Sequence, residues 1–468
     1  MAEIITIRKG LDIPIAGAAE KRITNALGVN TYAVKPTDFV GLTPRLQVEE
    51  GRDVMVGDSL FCDKNDERIR FTSPVSGHVK AITRGEKRRL EAIVVEENCE
   101  SSPVVFDIPK TREEIKTLML HCGLWTMLRQ RPFGTIANPD DKPKAIFVSA
   151  FSSAPLAPDF DFVMQGKEKW LIKGFEALTL LTDGKVHVCF KSGQRLAKEL
   201  KTEQLNNSKL TTHYIKGPHP AGNIGTQIAR IDPINKGEIV WTMNLQDVAV
   251  FGELVNTGVY NPQKVIAVAG PNIKNPHYYL VKSGACLKEI TEAQLLNADY
   301  PKTETHDAAK DNRIISGDIL SGTQIKADGF LSAYDDMVSI LPEGNYYDFM
   351  GWLMPGFKKY SFSRTFLSGI LSPLTSHLSS LTFDTNTHGD ERPLVFTGNF
   401  ERVFPFDIYP TQLIKACIVG DIELIENLGI YEVEPEDFAL CEFIDTSKTN
   451  IQTIIREALE TLRKEGKA

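Results

Sequence analysis

The 468-residue chain has no cysteine pattern that would ligate a metal or staple a small fold. Its seven cysteines, Cys62, Cys99, Cys122, Cys189, Cys286, Cys417 and Cys441, are odd in number and scattered. None lies two or three residues from another, so neither a disulfide framework nor a zinc or iron–sulfur ligand set is visible, and buried free thiols are expected. Long apolar runs are missing as well: "AIFVSAF" and "VIAVAG" fall far short of the roughly 18 residues that span a bilayer. A surplus of positive charge is missing too. The net charge of -8 argues against a polyanionic partner, because phosphate binding needs concentrated Lys and Arg, so no nucleic acid is expected. The opening "MAEIITIRKG" has no apolar signal region or small-residue cleavage site and alternates like a strand. A cytoplasmic protein is the expectation.

What is present is an ordinary folding composition, 42% hydrophobic and 24% charged, in a chain long enough for about three or four domains. Residues 1–103 read as short strands separated by turns, and "RFTSPVSGHVKAITRGEKRRLEAIVVEE" looks like half of a biotinyl/lipoyl-type hybrid barrel. A helical pattern at 113–129 carries Ile115, Leu118, Met119 and Cys122 on one face. From Lys144 strands alternate with helices, as in "AIFVSAF", the amphipathic stretch 167–181 and "KVHVCF", so 104–256 reads as a Rossmann-like α/β domain with a parallel sheet. Residues 257–345 read as a small mixed β unit. Residues 346–468 read as a loop-rich bridge and a helical end, with Ile451, Ile455, Leu459 and Leu462 in one stripe.

Several stretches could carry chemistry. A carrier domain needs a lysine at a tight hairpin tip, and Lys64 falls near that place, but Asp63 and Asn65 flank it and no methionine does. The glycine-rich "GPHPAGNIG" (217–225) and "GDILSG" (317–322) are candidates for cradling phosphate, although neither is G-x-G-x-x-G nor a P-loop. The first sits after a strand and before a helix, where open α/β sheets bind ligands, while its two prolines favour a rigid turn. His213 and His219 stand without an acid or cysteine set beside them and read first as structural. "GLWTMLRQRPF" (123–133) gathers Trp125, Arg129, Arg131 and Phe133, which could hold a flat, partly anionic ligand or anchor a domain interface. "RGEKRR" (84–89) is a small basic turn, solvated or a docking patch.

Taken in order, "IRKGLDIPIAGA", "FTSPVSGHV" with "TRGEKR", "GLWTMLRQRPF", "GPHPAGNIGT", "WTMNLQDVAVFG", "RIISGDILSGT", "GWLMPGFKKYSFSRTFLS" and "FALCEF" resemble the A subunits of the Na+-translocating NADH:quinone oxidoreductases. The likeness runs over essentially the whole chain. It implies a hybrid barrel, a Rossmann-like domain, a β-grasp domain of the soluble-ligand-binding (SLBB) type and a C-terminal helical domain. It also implies a peripheral subunit on the cytoplasmic side of the bacterial inner membrane, one of six, in an enzyme that passes electrons from NADH to ubiquinone and exports Na+. NADH, FAD, FMN and iron–sulfur centres belong in that family to other subunits; this one is associated with ubiquinone and with the membrane-embedded B subunit. The architecture also resembles the flavin subunit of respiratory complex I. There a G-x-G-G-A-G-F loop takes FMN, whereas "GLWTMLRQRPF" puts Trp125 and Arg129 where glycines stand, and "FALCEFIDTSK" keeps only Cys441 of a cluster set. The expected chain therefore has no redox cofactor, no catalytic residue and no metal of its own, with Trp125, Arg129, Arg131, Phe133 and His219 as quinone or partner contacts. The alternatives are an autonomous NADH–flavin dehydrogenase and a carrier acylated at Lys64.

Overall fold

A computed structural model of the chain describes residues 4–26, 28–98, 104–202, 208–295, 312–326, 328–347, 349–351, 353–356, 359–363, 366–368 and 383–466. Four units stand out, and three of them meet around one cleft.

The first unit is a barrel of two antiparallel sheets. One runs in the order Thr31–Val34, Leu90–Glu97, Gly77–Arg84, Asp53–Val54, and the other Pro44–Leu46, Ser59–Asp63, Arg70–Thr72. Alternation in the strands sends Leu60, Phe71, Val79, Ile93 and Val95 inward, and Phe61 stacks on Phe71 at 4.4 Å. The hairpin bearing Lys64 is not a free tip. Asp63 and Asp66 fold it into Asx turns, and Arg68 pairs with Asp66 at 2.7 Å and with Asp140 of the next unit at 2.6 Å. A lysine beside a turn fastened to a neighbouring domain is poorly placed for a modifying enzyme or a swinging arm.

The α/β unit holds a seven-stranded sheet in the order Ile4–Thr6, Leu210–Lys216, Lys185–Lys191, Ala145–Ser149, Val240–Thr242, Arg129–Arg131, Thr135–Ile136. The first five are parallel, and the last two add an antiparallel edge. The helix expected over 113–129 ends early, at Arg112–Cys122. Gly123 takes φ 82°, the left-handed cap that only glycine adopts cheaply, and the chain then turns into the edge strand. Helices Glu168–Leu181 and Leu245–Thr257 cross where Gly174 meets Gly252, close enough that a Cβ on Gly252 would lie 1.8 Å from the Trp170 carbonyl oxygen.

The third unit is a six-stranded mixed sheet: Thr323–Ile325, Asn312–Ser316, Met337–Pro342, Gln263–Ala269, His277–Lys282, Glu20–Asn25. Two strands of the first 25 residues thus leave the barrel, Ile4–Thr6 for the α/β sheet and Glu20–Asn25 for this one, and the barrel's own strands begin at Thr31. The fourth unit packs helices Phe400–Val403, Pro410–Val419, Ile422–Asn427, Ala439–Ile444 and Ile451–Glu465 around Phe400, Phe404, Leu413, Phe438 and Ile455. The six described cysteines are free, and among the described residues no helix is long and apolar enough to cross a membrane. The stretch "GWLMPGFKKYSFSRTFLS" lies partly outside the described residues.

Candidate functional site

The cleft opens at the carboxyl ends of the parallel strands Ala145–Ser149 and Val240–Thr242, the place where sheets of this kind receive ligands. Its volume is about 250 Å³. Ser149, Phe151, Thr242 and Asn244 come from the strand ends, His219, Gly222 and Asn223 from "GPHPAGNIG", and Asp318, Ser321 and Gly322 from "GDILSG". The two glycine-rich stretches therefore face one another across it. Tyr334, Asp335 and Asp336 form its far wall, and Glu436 and Ala439 bring in the helical unit.

The 217–225 turn is a rigid one. Pro218 and Pro220 have no N–H, and the His219–Pro220 bond is cis. The His219 amide donates to Asp12 Oδ1 at 2.8 Å, the Ala221 amide to Pro218 O, the Gly222 amide to Ser153 Oγ at 2.7 Å and the Asn223 amide to Pro220 O. Four amides that could have cradled a phosphate are committed inside the protein. Across the cleft Asp318 organises its own loop, accepting from Leu320 N, Ser321 N and Ser321 Oγ.

His219 is buried with Nδ1 3.1 Å from Ser153 Oγ, the hydroxyl oxygen that also accepts from the Gly222 amide. Burial lowers the imidazole pKa, against the pull of Asp318 and Asp12, and this favours the neutral ring. Burial likewise raises Asp336 to about 7, opposed by Lys264 and reinforced by Asp247, and Asp335 to about 6, opposed by the hydrogen bond from Ser316 Oγ. Asp336 thus titrates near neutrality, and Asp335 about a unit below it. With Asp318 and Glu436 the cleft carries four acids against the single guanidinium of Arg129, an arrangement hostile to phosphate and compatible with a neutral ligand bearing carbonyl oxygens.

The aromatic and arginine segment separates into two roles. Trp125 is 1% exposed, donates Nε1–H to Ala137 O at 2.8 Å and meets Trp241 edge to face, so it is core. Arg129 and Arg131 reach the helical unit from the edge strand, and the following peptide, Arg131–Pro132, is cis. Arg129 pairs with Glu434 at 3.0 Å and lies over the Tyr334 ring, whereas buried Arg131 meets Glu436 at 2.5 Å, Asp437 at 3.4 Å and Glu434 at 3.6 Å. Burial pushes the Glu434 carboxyl up, yet Arg131, Arg129 and Arg456 outweigh it and hold the carboxyl below its ordinary value. Asp437, for which burial prevails over Arg131, stands at about 7. Phe133 lies edge-on to Tyr431, and its carbonyl accepts from Arg456 at 2.9 Å. Of the five residues singled out in the sequence, Arg129 and His219 line the cleft, while Trp125, Arg131 and Phe133 build the wall and clamp behind it.

Asp12, Ser153, Tyr334, Asp335, Asp336 and Glu434 escape a reading of the sequence. The adjacent acids in "YDDMVSILP" are the one available signal, charge at the entry of an apolar strand. His213, singled out with His219, lies elsewhere, its Nε2 2.8 Å from His187 Nδ1 on neighbouring strands. Among the described residues no group of three or more His, Cys, Asp or Glu could hold a metal ion.

Three family models match the chain: the NqrA N-terminal barrel-sandwich hybrid domain over 5–98, the NqrA second alpha/beta domain over 110–260 and the NQRA C-terminal domain over 265–327. A curated relative, the A subunit of the Na(+)-translocating NADH-quinone reductase of Yersinia pseudotuberculosis serotype I (strain IP32953), is 36% identical over 470 residues, spanning 99% of this chain and 100% of its own. The protein of the same name from Vibrio atlanticus (strain LGP32) is 36% identical over 471 residues with the same coverage. Among solved structures, an NAD+-reducing NiFe hydrogenase in the air-oxidised state aligns over 76% of this chain and 62% of its own, at 13% identity and a TM-score of 0.36, too loose to carry an argument. Matched from end to end by such relatives and domain by domain by the family's models, this chain belongs to the NqrA family, the A subunits of the Na+-translocating NADH-quinone reductases.

Proposed function

We propose that this chain is the peripheral, cytoplasmic-side A subunit of a six-subunit Na+-translocating NADH:ubiquinone reductase. It docks on the membrane-embedded B subunit and receives the ubiquinone head group, without a redox cofactor of its own. The observation that carries the quinone reading is the chemistry of the cleft, whose four carboxyls, one of them titrating near neutrality, face a committed glycine turn and one arginine. A quinone is neutral and presents two carbonyl oxygens, which the protonated Asp336 carboxyl and the neutral His219 ring can meet as donors. A flavin phosphate or a pyridine dinucleotide would bring negative charge to a wall of acids and meet a turn whose His219, Ala221, Gly222 and Asn223 amides are already taken. NADH, flavins and iron–sulfur centres then belong to the other subunits, and "PHPAG" offers no acid for a ribose.

Titrating a short-chain ubiquinone into the isolated chain and into the assembled complex, followed by tryptophan fluorescence, tests this. Ser321 lines the cleft from a surface loop, so Ser321→Trp fills it with little risk to the core. A loss of affinity of about tenfold or more is expected there, the scale of about 1.4 kcal/mol. His219→Ala should lose affinity too, whereas Trp125→Phe, behind the wall, should keep it. Unchanged affinity in both cleft variants, or purified chain carrying flavin absorbance near 450 nm, would overturn the reading.

A further inference from the structure

Asp336 lines the cleft just before the strand Met337–Pro342 and is partly exposed there. Its Oδ1 accepts from Gln246 Nε2 at 3.0 Å, and among the described residues its Oδ2 has no hydrogen-bond partner. Charged groups face it from each element packed around it. Lys264 stands on the strand Gln263–Ala269, Asp247 on the helix Leu245–Thr257, and Lys167 just ahead of the helix Glu168–Leu181. Asp335 is its neighbour in sequence, and Asp318, Glu436, His219 and Arg129 line the same cleft. Two of the cations are engaged elsewhere. Lys264 Nζ lies 3.1 Å from Asp247 and donates to Ala333 O at 2.9 Å, and Arg129 pairs with Glu434. Among the described residues no ion pair reaches Asp336, so a carboxylate here is held by one amide and the water of the cleft. A ring that covers it removes that water, which disfavours the charged form unless the ring itself brings a donor. Quinone and quinol differ in this respect: a quinone oxygen only accepts, whereas a quinol hydroxyl also donates.

We propose that Asp336 distinguishes the two redox states of the ring: as a carboxylic acid it donates O–H to a quinone carbonyl, and as a carboxylate it accepts from a quinol hydroxyl, so that exchanging bound quinone for quinol releases a proton from the protein. The inference rests on the quinone reading of the cleft and names what would regulate that site. No covalent bond of the ring and no electron moves in the exchange; the proton passes from the Asp336 carboxyl to solvent when quinol enters and returns when quinone does. Burial pushes Asp336 up to about 7, so its acid form falls about tenfold between pH 6 and pH 8. A ligand that needs that form loses apparent affinity by the same factor, and one that needs the carboxylate gains.

Titration of the full chain with a short-chain ubiquinone, and anaerobically with its quinol, at pH 6 and pH 8 is the test. Quinone is expected to bind about tenfold more weakly at pH 8, and quinol more tightly. Calorimetry at pH 7 in two buffers of different ionisation enthalpy should show proton uptake with quinone and proton release with quinol, without recourse to a variant. Asp336→Asn, whose amide both donates and accepts and does not titrate, should bind both forms and lose most of the pH dependence. Binding of both forms with equal affinity at pH 6 and pH 8, or a pH dependence that Asp336→Asn leaves in place, overturns the proton link and spares the quinone reading. A chain that binds neither form at either pH sinks the quinone reading and the proton link with it.

Discussion

Arg131 ties the α/β unit to the helical unit, and its removal has a worked consequence. Its guanidinium is 3% exposed and faces Glu434, Glu436 and Asp437 at 2.5 to 3.6 Å. Replacing it with methionine keeps much of the volume and strands buried carboxylates. Breaking a buried pair in this way costs about 3–5 kcal/mol, since the remaining charge has lost its counterion. Two features moderate the figure. Glu434 retains Arg129 at 3.0 Å and the field of Arg456, and Asp437, already near 7, can take a proton instead of staying charged. The sign with pH follows. Without Arg131 the folded pKa of both carboxyls rises, and a carboxyl raised in the fold loses stability as pH climbs from its unfolded value, near 4, through its folded one. The deficit of Arg131→Met should therefore be about 3 kcal/mol or more at pH 8 and clearly smaller at pH 5.5. Because a chain of several units need not unfold in one step, hydrogen exchange of the Arg129–Arg131 strand and the Ile451–Glu465 helix is the better readout, with urea unfolding beside it. Arg131→Lys should recover only part of the loss, as an ammonium cannot present a fork to three acids. A deficit below about 1 kcal/mol at pH 8, or an equal deficit at both pH values, would refute the clamp.

Other outcomes follow from the same geometry. Gly252→Ala puts a Cβ 1.8 Å from the Trp170 carbonyl oxygen and 2.6 Å from the Gly174 nitrogen, both backbone, so the two helices must part; a loss of about 3 kcal/mol, at the upper end of overpacking penalties, is expected in thermal or urea unfolding. Asp336, whose folded pKa is raised to about 7, destabilises progressively between about pH 4 and pH 7. Asp336→Asn should accordingly stabilise the chain at pH 8 by on the order of 2 kcal/mol and leave it nearly unchanged near pH 4, while the Gln246 hydrogen bond to its oxygen persists.

The sequence displays units more clearly than it displays how they interlock. Alternation and helical spacing expose the barrel, the βαβ run and the terminal stripe, because burial on one face of an element leaves a period in the chain. Strand Ile4–Thr6 alternates too, yet its partner is Tyr214–Lys216, and no local pattern can point over two hundred residues away. Glu20–Asn25 lies against His277–Leu280 with every side chain exposed, so it carries no period at all. The helical spacing of 113–129 runs on past Gly123 for a related reason: the next apolar residues, Leu124 and Trp125, are buried by a 3-10 turn that keeps them on the core side. Apolarity is legible there, and the backbone path is not.

The site shows the same division from the side of chemistry. The two glycine-rich stretches and the arginine segment can be singled out because their residue types are uncommon in one place. Their meaning depends on partners that spacing does not reveal. Whether "GPHPAGNIG" cradles phosphate is decided by Asp12 and Ser153, which take its amides from 207 and 69 residues away in sequence. Whether Arg129 and Arg131 wait for an anionic ligand is decided by Glu434, Glu436 and Asp437, about three hundred residues on, which already satisfy them. Those acids convert the arginines from ligand hooks into a clamp, and the clamp in turn brings Glu436 to the cleft and completes its acidic wall. The polarity of the cleft is thus a product of the domain junction, so a variant that loosens the junction at Arg131 should weaken the proposed quinone binding without touching a single residue that lines the cleft.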